Sequence, residues 1–143
     1  MKTTFFLLFT LLIGHQSFSQ ELECKDFKEG TFVITSKLFP GAEFTIERTN
    51  EEQREFPSKV PEAYKDYPKR SLYSSITWIN ECSYKLIYIA KKDSLDTSQI
   101  YLNKNGGITA KLIPQKGKCF QYSSEFTINN TKFDDQGTIC KTK

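Results

Sequence analysis

The sequence predicts a single all-β domain in which about eight antiparallel strands form a meander barrel or sandwich stabilised by disulfides. Three observations support this fold class. Short runs of alternating apolar and polar residues are separated by turn-forming residues along most of the chain. Aromatic and β-branched residues dominate these runs, which disfavours helices. Four cysteines in a chain of 143 residues indicate disulfides.

Residues 1–19 have the features of a secretory signal peptide, and the predicted domain follows at residues 20–143. A short apolar core at 5–13 is followed by the small residues Ser17 and Ser19, at the two positions that a signal peptidase requires. The core is too short to span a bilayer, and no later segment resembles a transmembrane helix. We therefore expect a soluble, exported protein, either periplasmic or secreted.

The first half of the domain predicts three strands, at 31–38, 43–49 and 53–56. In the second strand Phe44 and Ile46 point to one side and alternate with polar residues that point to the other. This alternation is typical of a strand with one face on a core.

Two segments are expected outside the sheet: a short polar lead around 25–29, and a surface loop at 57–71. The loop contains three prolines and many charges, which break the strand pattern. Basic and aromatic residues alternate within it at Lys65, Tyr67, Lys69 and Arg70. These four would suit a phosphate or a sugar, but a solvated loop is the better explanation of this composition.

The middle of the chain predicts strands at 72–80 and 84–91, a short strand at 100–102, and a further strand at 108–113. The candidates for the core in this part are Trp78, Tyr84, Leu86 and Tyr88.

The last stretch, 117–141, predicts one long β-hairpin. Asn129-Asn130 suits a tight two-residue turn because Asn tolerates the positive φ that such turns need. The pairs that then face one another are Ile128–Thr131, Phe126–Phe133, Tyr122–Gly137, Phe120–Ile139 and Cys119–Cys140. A slip of one residue would destroy this agreement between apolar pattern and cysteine spacing, although a bulge at 134–137 would shift the last pairs.

The hairpin geometry favours a disulfide between Cys119 and Cys140, which leaves Cys24 and Cys82 as the second pair by elimination. The sequence contains no Cys-x-x-Cys, so a redox or zinc-ribbon site has little support. Both disulfides are therefore expected to be structural.

Composition excludes several classes of function. The single histidine, His15, lies in the predicted signal peptide, so the mature chain has no imidazole for a catalytic triad or for a zinc or haem site. The 20 Lys and Arg residues fall to 19 once the signal is removed, against 17 Asp and Glu, so the net charge is near +2. This balance does not indicate a nucleic-acid partner. We predict no catalytic, cofactor-binding or metal-binding residues.

Clustered acidic residues could bind calcium or serve as catalytic acids and bases. Asp134 and Asp135, together with Asp93 or Asp96, would supply oxygen ligands for calcium, but no spaced ligand loop is present and hairpin solvation is the better explanation. Carboxylate chemistry without histidine would need two acids that converge in space. The candidates on predicted strands are Glu43, Glu47 and Glu125, and alternation turns the last two outward.

One short motif suggests a modification. Asp93-Ser94-Leu95 resembles the Asp-Ser/Thr-apolar site of Bacteroidetes O-glycosylation, and it lies in a predicted loop where a glycan on Ser94 would fit.

Three segments carry a family resemblance: CKDFKEGTF at 24–32, TIERT at 45–49, and WINECSYKL at 78–86. They resemble a group of small exported Bacteroidetes proteins that have a Cys-x-x-Phe lead and a Trp-Ile-x-x-Cys-x-Tyr-x-Leu segment. The resemblance implies a lipocalin-like (calycin-type) β-meander. It implies no activity, because its motifs mark fold positions.

The hypothesis that these observations favour is an exported, non-catalytic binding module, which holds a small apolar ligand in the barrel or grips an envelope protein through its loops. The residues predicted for the barrel interior are Phe44, Ile46, Trp78, Tyr84, Leu86, Phe120, Tyr122, Phe126 and Phe133. A histidine-free hydrolase or lyase of the envelope is the alternative, and an inhibitor or assembly protein is a third hypothesis. The sequence leaves the oligomeric state open, and also whether the interior is hollow or filled.

Overall fold

In the computed structural model, which describes residues 21–142, eight antiparallel strands close into one barrel. Each strand pairs with the next along the chain, and the last strand pairs with the first. The strands are β1 (Gly30–Ser36), β2 (Glu43–Arg48), β3 (Glu52–Lys59), β4 (Leu72–Asn80), β5 (Ser83–Tyr88), β6 (Ile108–Ile113), β7 (Cys119–Ile128) and β8 (Thr131–Lys141). The predicted all-β meander is confirmed, and of the two architectures it is the barrel. The predicted signal peptide lies outside the described residues.

The terminal hairpin has the register that the sequence predicts. Asn129 and Asn130 form the turn with φ angles of 49° and 62°, the left-handed conformation that a type I′ turn needs at both central positions. Ten consecutive pairs then run from Ile128–Thr131 to Cys119–Cys140 without a shift. The bulge considered at 134–137 is therefore not present in this hairpin.

The short strand predicted at 100–102 is wrong, because this segment belongs to a helix, α1 (Thr97–Lys104). The side chain of Asp96 accepts a hydrogen bond from the backbone N–H of Gln99, and the Gln99 side chain bonds back to the N–H of Asp96. This reciprocal capping box starts the helix. The Asp-x-x-Gln spacing was the available signal, and it outweighs the strand propensity of Ile100 and Tyr101. No helix within 21–142 combines the length and apolar character needed to cross a bilayer.

Several strand boundaries also differ from the prediction: β1 ends at Ser36 and β5 at Tyr88, two and three residues earlier than predicted. β3 continues through Pro57 to Lys59, and a register shift opposite Pro57, between Glu43 and Phe44 of β2, accommodates the proline. The loop predicted at 57–71 is accordingly shorter and contains one 3₁₀ turn, Glu62–Tyr64.

One end of the barrel is closed by a 3₁₀ turn, Cys24–Phe27, that precedes β1. Phe27 is fully buried and lies 5.4 Å from Phe32 and 4.4 Å from Phe120, measured between ring centroids. The Nζ of Lys141 donates to the carbonyl of Asp26 at 2.6 Å and holds the turn in place. The segment predicted as a polar lead is therefore a plug, because its one aromatic side chain completes the core.

Both disulfides have the predicted pairing and lie at this closed end. Cys24–Cys82 joins the 3₁₀ turn to the connection between β4 and β5, and Cys119–Cys140 joins the outer ends of β7 and β8. Disulfides of this structural kind form in oxidising compartments.

The opposite end carries the longer connections, including the β3–β4 loop and α1. Arg70 of the loop lies 2.8 Å from the carboxylate of Asp93, and its guanidinium also donates to the carbonyl of Ser94 at 2.5 Å and to the side chain of Gln99 at 3.3 Å. These bonds fasten the β3–β4 loop to the segment that leads into α1.

Candidate functional site

The barrel contains a cavity of about 210 Å³ that reaches its loop-bearing end. Leu38, in the β1–β2 connection, lines the cavity and is 47% exposed, so the cavity communicates with the surface there. Six of the nine residues predicted for the interior line its wall: Phe44, Ile46, Tyr84, Leu86, Tyr122 and Phe126. The interior is therefore hollow towards one end and filled towards the other.

The other three predicted interior residues lie elsewhere. Phe120 is fully buried in the core at the closed end, and Trp78 packs against that core, with its ring 4.9 Å from that of Tyr84. Phe133 is 42% exposed and stacks on Phe126 near the tip of the hairpin, with ring centroids 5.7 Å apart. The structure thus places Phe133 outside the interior.

The cavity contains an acidic side chain that sequence analysis missed, Glu55 of β3. Its facing partner on β2 is Ile46, and the partner of Arg48 is Gln53. Facing residues of antiparallel strands lie on the same face of the sheet. Because Ile46 points into the barrel, the side chain of Glu55 does so too. The pairing register of β2 with β3 is the signal that would have shown Glu55 to be inside the barrel. The pattern of β3 itself gives no apolar alternation that would reveal an inner face.

Glu55 belongs to a short polar chain that starts at a buried arginine. Arg48 is only 4% exposed, and its guanidinium donates to the carbonyl of Phe27 at 2.9 Å, to the Gln53 side chain at 2.6 and 3.1 Å, and to the hydroxyl of Tyr84 at 3.0 Å. The Gln53 amide in turn donates to Glu55 at 3.5 Å, a long contact. The positive charge therefore acts on Glu55 across Gln53, without direct contact.

Burial raises the pKa of Glu55 from its ordinary 4.5 to about 7, against the opposing effects of the Arg48 charge and the Gln53 hydrogen bond. The same apolar surroundings raise the pKa of Tyr67 to about 12, and burial also raises the pKa values of Tyr88 and Tyr122. The tyrosine hydroxyls therefore stay protonated at neutral pH, whereas Glu55 exchanges its proton there.

We expect Glu55→Gln to change how stability depends on pH. Well below pH 4.5, Glu55 is protonated in both the folded and the unfolded wild type. Between pH 4.5 and about 7, Glu55 stays protonated in the folded state but is ionised in the unfolded state. The free energy of unfolding of the wild type therefore decreases as pH rises from 4.5 to about 7, and Glu55 causes no further change above that range. The free energy of unfolding of Glu55→Gln minus that of the wild type should increase by about 2 kcal/mol from pH 4 to pH 8, less than the full shift implies because the cavity reaches solvent.

Urea denaturation at a series of pH values measures this difference. Glu47→Gln is the matched control, because Glu47 is exposed and pairs with Arg54 at 3.1 Å on the outer surface. A difference for Glu55→Gln that stays constant between pH 4 and pH 8 would contradict the prediction.

The second carboxylate in the cavity wall, Asp135 of β8, is already occupied by the fold. It accepts hydrogen bonds from the hydroxyls of Ser36 at 2.8 Å and Tyr122 at 3.1 Å, and from the backbone N–H groups of Leu38 at 3.3 Å and Gln136 at 2.8 Å. The bonds from Ser36 and Leu38 fasten β8 to the end of β1 and the segment after it, and the bond from Tyr122 links β8 to β7.

The basic and aromatic residues of the β3–β4 loop do not form one site. Tyr67 turns into the cavity, with its ring 5.3 Å from those of Phe39 and Phe44. Arg70 pairs with Asp93, while Lys65 and Lys69 are exposed. The three acids considered for catalysis form surface ion pairs, Glu43–Lys59, Glu47–Arg54 and Glu125–Lys132, and do not converge.

The aspartates considered for calcium are likewise divided among other partners. Asp93 and Asp96 flank Arg70, at 2.8 and 3.8 Å, whereas Asp135 lies in the barrel wall. Among residues 21–142, no group of three or more His, Cys, Asp or Glu side chains is arranged to hold a metal ion. Ser94 is exposed, and its modification stays a prediction.

The cavity is thus open at one end and mostly apolar, with aromatic walls. One of its carboxyl groups, that of Glu55, receives a single long hydrogen bond and forms no ion pair among the described residues. Comparison of the chain with protein-family models, with curated proteins and with solved structures finds no match.

Proposed function

We propose that the protein is a non-catalytic binding module that holds a small, largely apolar molecule inside its barrel. The observation that carries this proposal is the cavity of about 210 Å³ that is plugged at one end and reaches the surface at the other. A wall of apolar and aromatic side chains with a few polar groups is typical of small-molecule sites.

The alternative, a histidine-free hydrolase or lyase, would need two acids that act together, and Glu55 and Asp135 do line the same cavity. However, Asp135 already accepts four hydrogen bonds from the protein, two of which hold β8 to the end of β1 and the segment after it, so that carboxylate serves the fold and is not free to act as an acid or base. Binding is therefore the function that the geometry supports best.

We further propose that the protein acts outside the cytoplasm, in the periplasm or as a secreted protein. Two disulfides and the signal-peptide features of residues 1–19 support this location.

A neutral, polarity-sensitive naphthalene dye, Prodan, should bind the protein in a saturable manner, with one site per chain. Ser124 lies on β7, is 9% exposed and faces the cavity, so Ser124→Phe should fill part of the cavity and weaken dye binding at least about tenfold. Fluorescence titration measures both affinities.

The matched control is Ser123→Phe, the same substitution one residue earlier, which alternation places on the outer face of the barrel. It should leave the dye affinity within about twofold of the wild type. Ser124→Leu, a smaller change, serves if the phenylalanine variant does not fold. Absence of saturable binding to the wild type, or an equal loss in both serine positions, would overturn the proposed function.

A further inference from the structure

The charged groups of the cavity wall have one sign. Glu55 and Asp135 are acidic, and the described residues that line the cavity include no lysine, arginine or histidine. Arg48, whose charge acts on Glu55, lies behind Gln53, and its donors point to Phe27, Gln53 and Tyr84. It is therefore not offered to a ligand, and an anionic molecule such as a fatty acid would meet only negative charge.

The two carboxylates differ in what they can offer. Asp135 accepts four hydrogen bonds from the protein, whereas Glu55 receives one long bond from Gln53 and forms no ion pair within residues 21–142. A carboxylate in apolar surroundings that lacks a cationic partner gains strongly from a cation brought by a ligand.

The aromatic side chains around the Glu55 carboxyl group also favour a cationic ligand. Tyr67, Tyr84 and Tyr88 line the same cavity, with Phe44 beside Tyr67. Aromatic faces attract ammonium ions and repel anions, and their rings also accommodate an apolar body.

We propose that the ligand of this cavity is an organic amine, bound as its ammonium ion against Glu55 with its apolar or aromatic body among the surrounding rings. This inference rests on the proposed function and narrows its ligand to one chemical class. A ligand that carries a hydroxyl group in place of the ammonium group should therefore bind more weakly. The rest of the cavity wall does not distinguish an amine from an alcohol of the same shape, so the interaction with Glu55 accounts for the difference.

Binding should also depend on pH in a defined direction. The groups that act on Glu55 are Arg48 of β2 and Gln53 of β3, which favour its charged form, and Asp135 of β8, which opposes it. Tyr67, Tyr88 and Tyr122 stay neutral over this range. Since only ionised Glu55 pairs with an ammonium ion, amine affinity should fall about tenfold from pH 8 to pH 6.

The test compares 2-phenylethylamine with 2-phenylethanol and 3-phenylpropanoate, each titrated calorimetrically into the full protein and into Prodan-loaded protein. We expect the amine to bind at least about tenfold more tightly than the alcohol, and the carboxylate to bind least. Glu55→Gln should bring the amine within about twofold of the alcohol, whereas the surface control Glu47→Gln should retain both the selectivity and the Prodan affinity of the wild type.

The possible outcomes separate the two proposals. Prodan binding with equal affinities for amine and alcohol, or with amine selectivity retained in Glu55→Gln, overturns the amine assignment and leaves the binding function intact. Absence of saturable Prodan binding overturns the binding function itself, and the amine assignment with it.

Discussion

Replacing Gly137 by alanine is expected to destabilise the barrel by about 3–4 kcal/mol, at the upper end of what overpacking produces. Gly137 lies on β8, where its neighbours are Ser36 on β1 and Tyr122 on β7. A Cβ at this position would overlap the carbonyl oxygen of Thr35 and come within 2.7 Å of the carbonyl carbon of that residue and 2.9 Å of the Tyr122 ring. The obstructing atoms are mainly backbone, so β1 would have to move away from β8.

Gly117→Ala is the control for this prediction. A Cβ there meets no atom within 4 Å, and its φ of +97° makes strain of about 1–2 kcal/mol the only expected effect. Guanidinium denaturation followed through Trp78, the single tryptophan, measures both variants. Equal losses in the two variants would show that close approach of the strands is not what Gly137 provides.

Local signals were sufficient for the hairpin of β7 and β8. The Asn129-Asn130 turn, the apolar alternation and the spacing of Cys119 and Cys140 all agree on one register, and each acts between residues close in sequence. Where local signals agree in this way, the fold can be predicted from the sequence.

The cavity could be predicted only in part, because its polar members depend on contacts between distant segments. Aromatic and aliphatic wall residues such as Phe44 and Tyr122 follow from alternation. Glu55 is inside because β3 pairs with β2 in one register, and Tyr67 is inside because its loop folds back over the mouth. A charged residue on an inner face looks like a surface residue in the sequence, and only the closure of the barrel reveals its surroundings.

The two ends of the barrel have different roles, one in stability and the other in the proposed ligand binding. The closed end holds both disulfides, the plug around Phe27 and the buried arginine, all of which stabilise the fold. The cavity and its acidic side chain lie towards the other end, so substitutions in the closed end should affect stability more than binding.

Removing the Cys24–Cys82 disulfide by a double alanine replacement should therefore lower the free energy of unfolding by about 4 kcal/mol, against about 3 kcal/mol for Cys119–Cys140. The difference follows from the loops that the two disulfides close, with sequence separations of 58 and 21 residues, because the longer loop restricts the unfolded chain more. Denaturation of both double variants measures the order. The plug keeps the bond from Arg48 to the carbonyl of Phe27, so Prodan should still bind folded Cys24→Ala/Cys82→Ala protein. A larger loss for the Cys119–Cys140 pair would mean that this disulfide stabilises the pairing of β7 with β8 more strongly than chain entropy predicts.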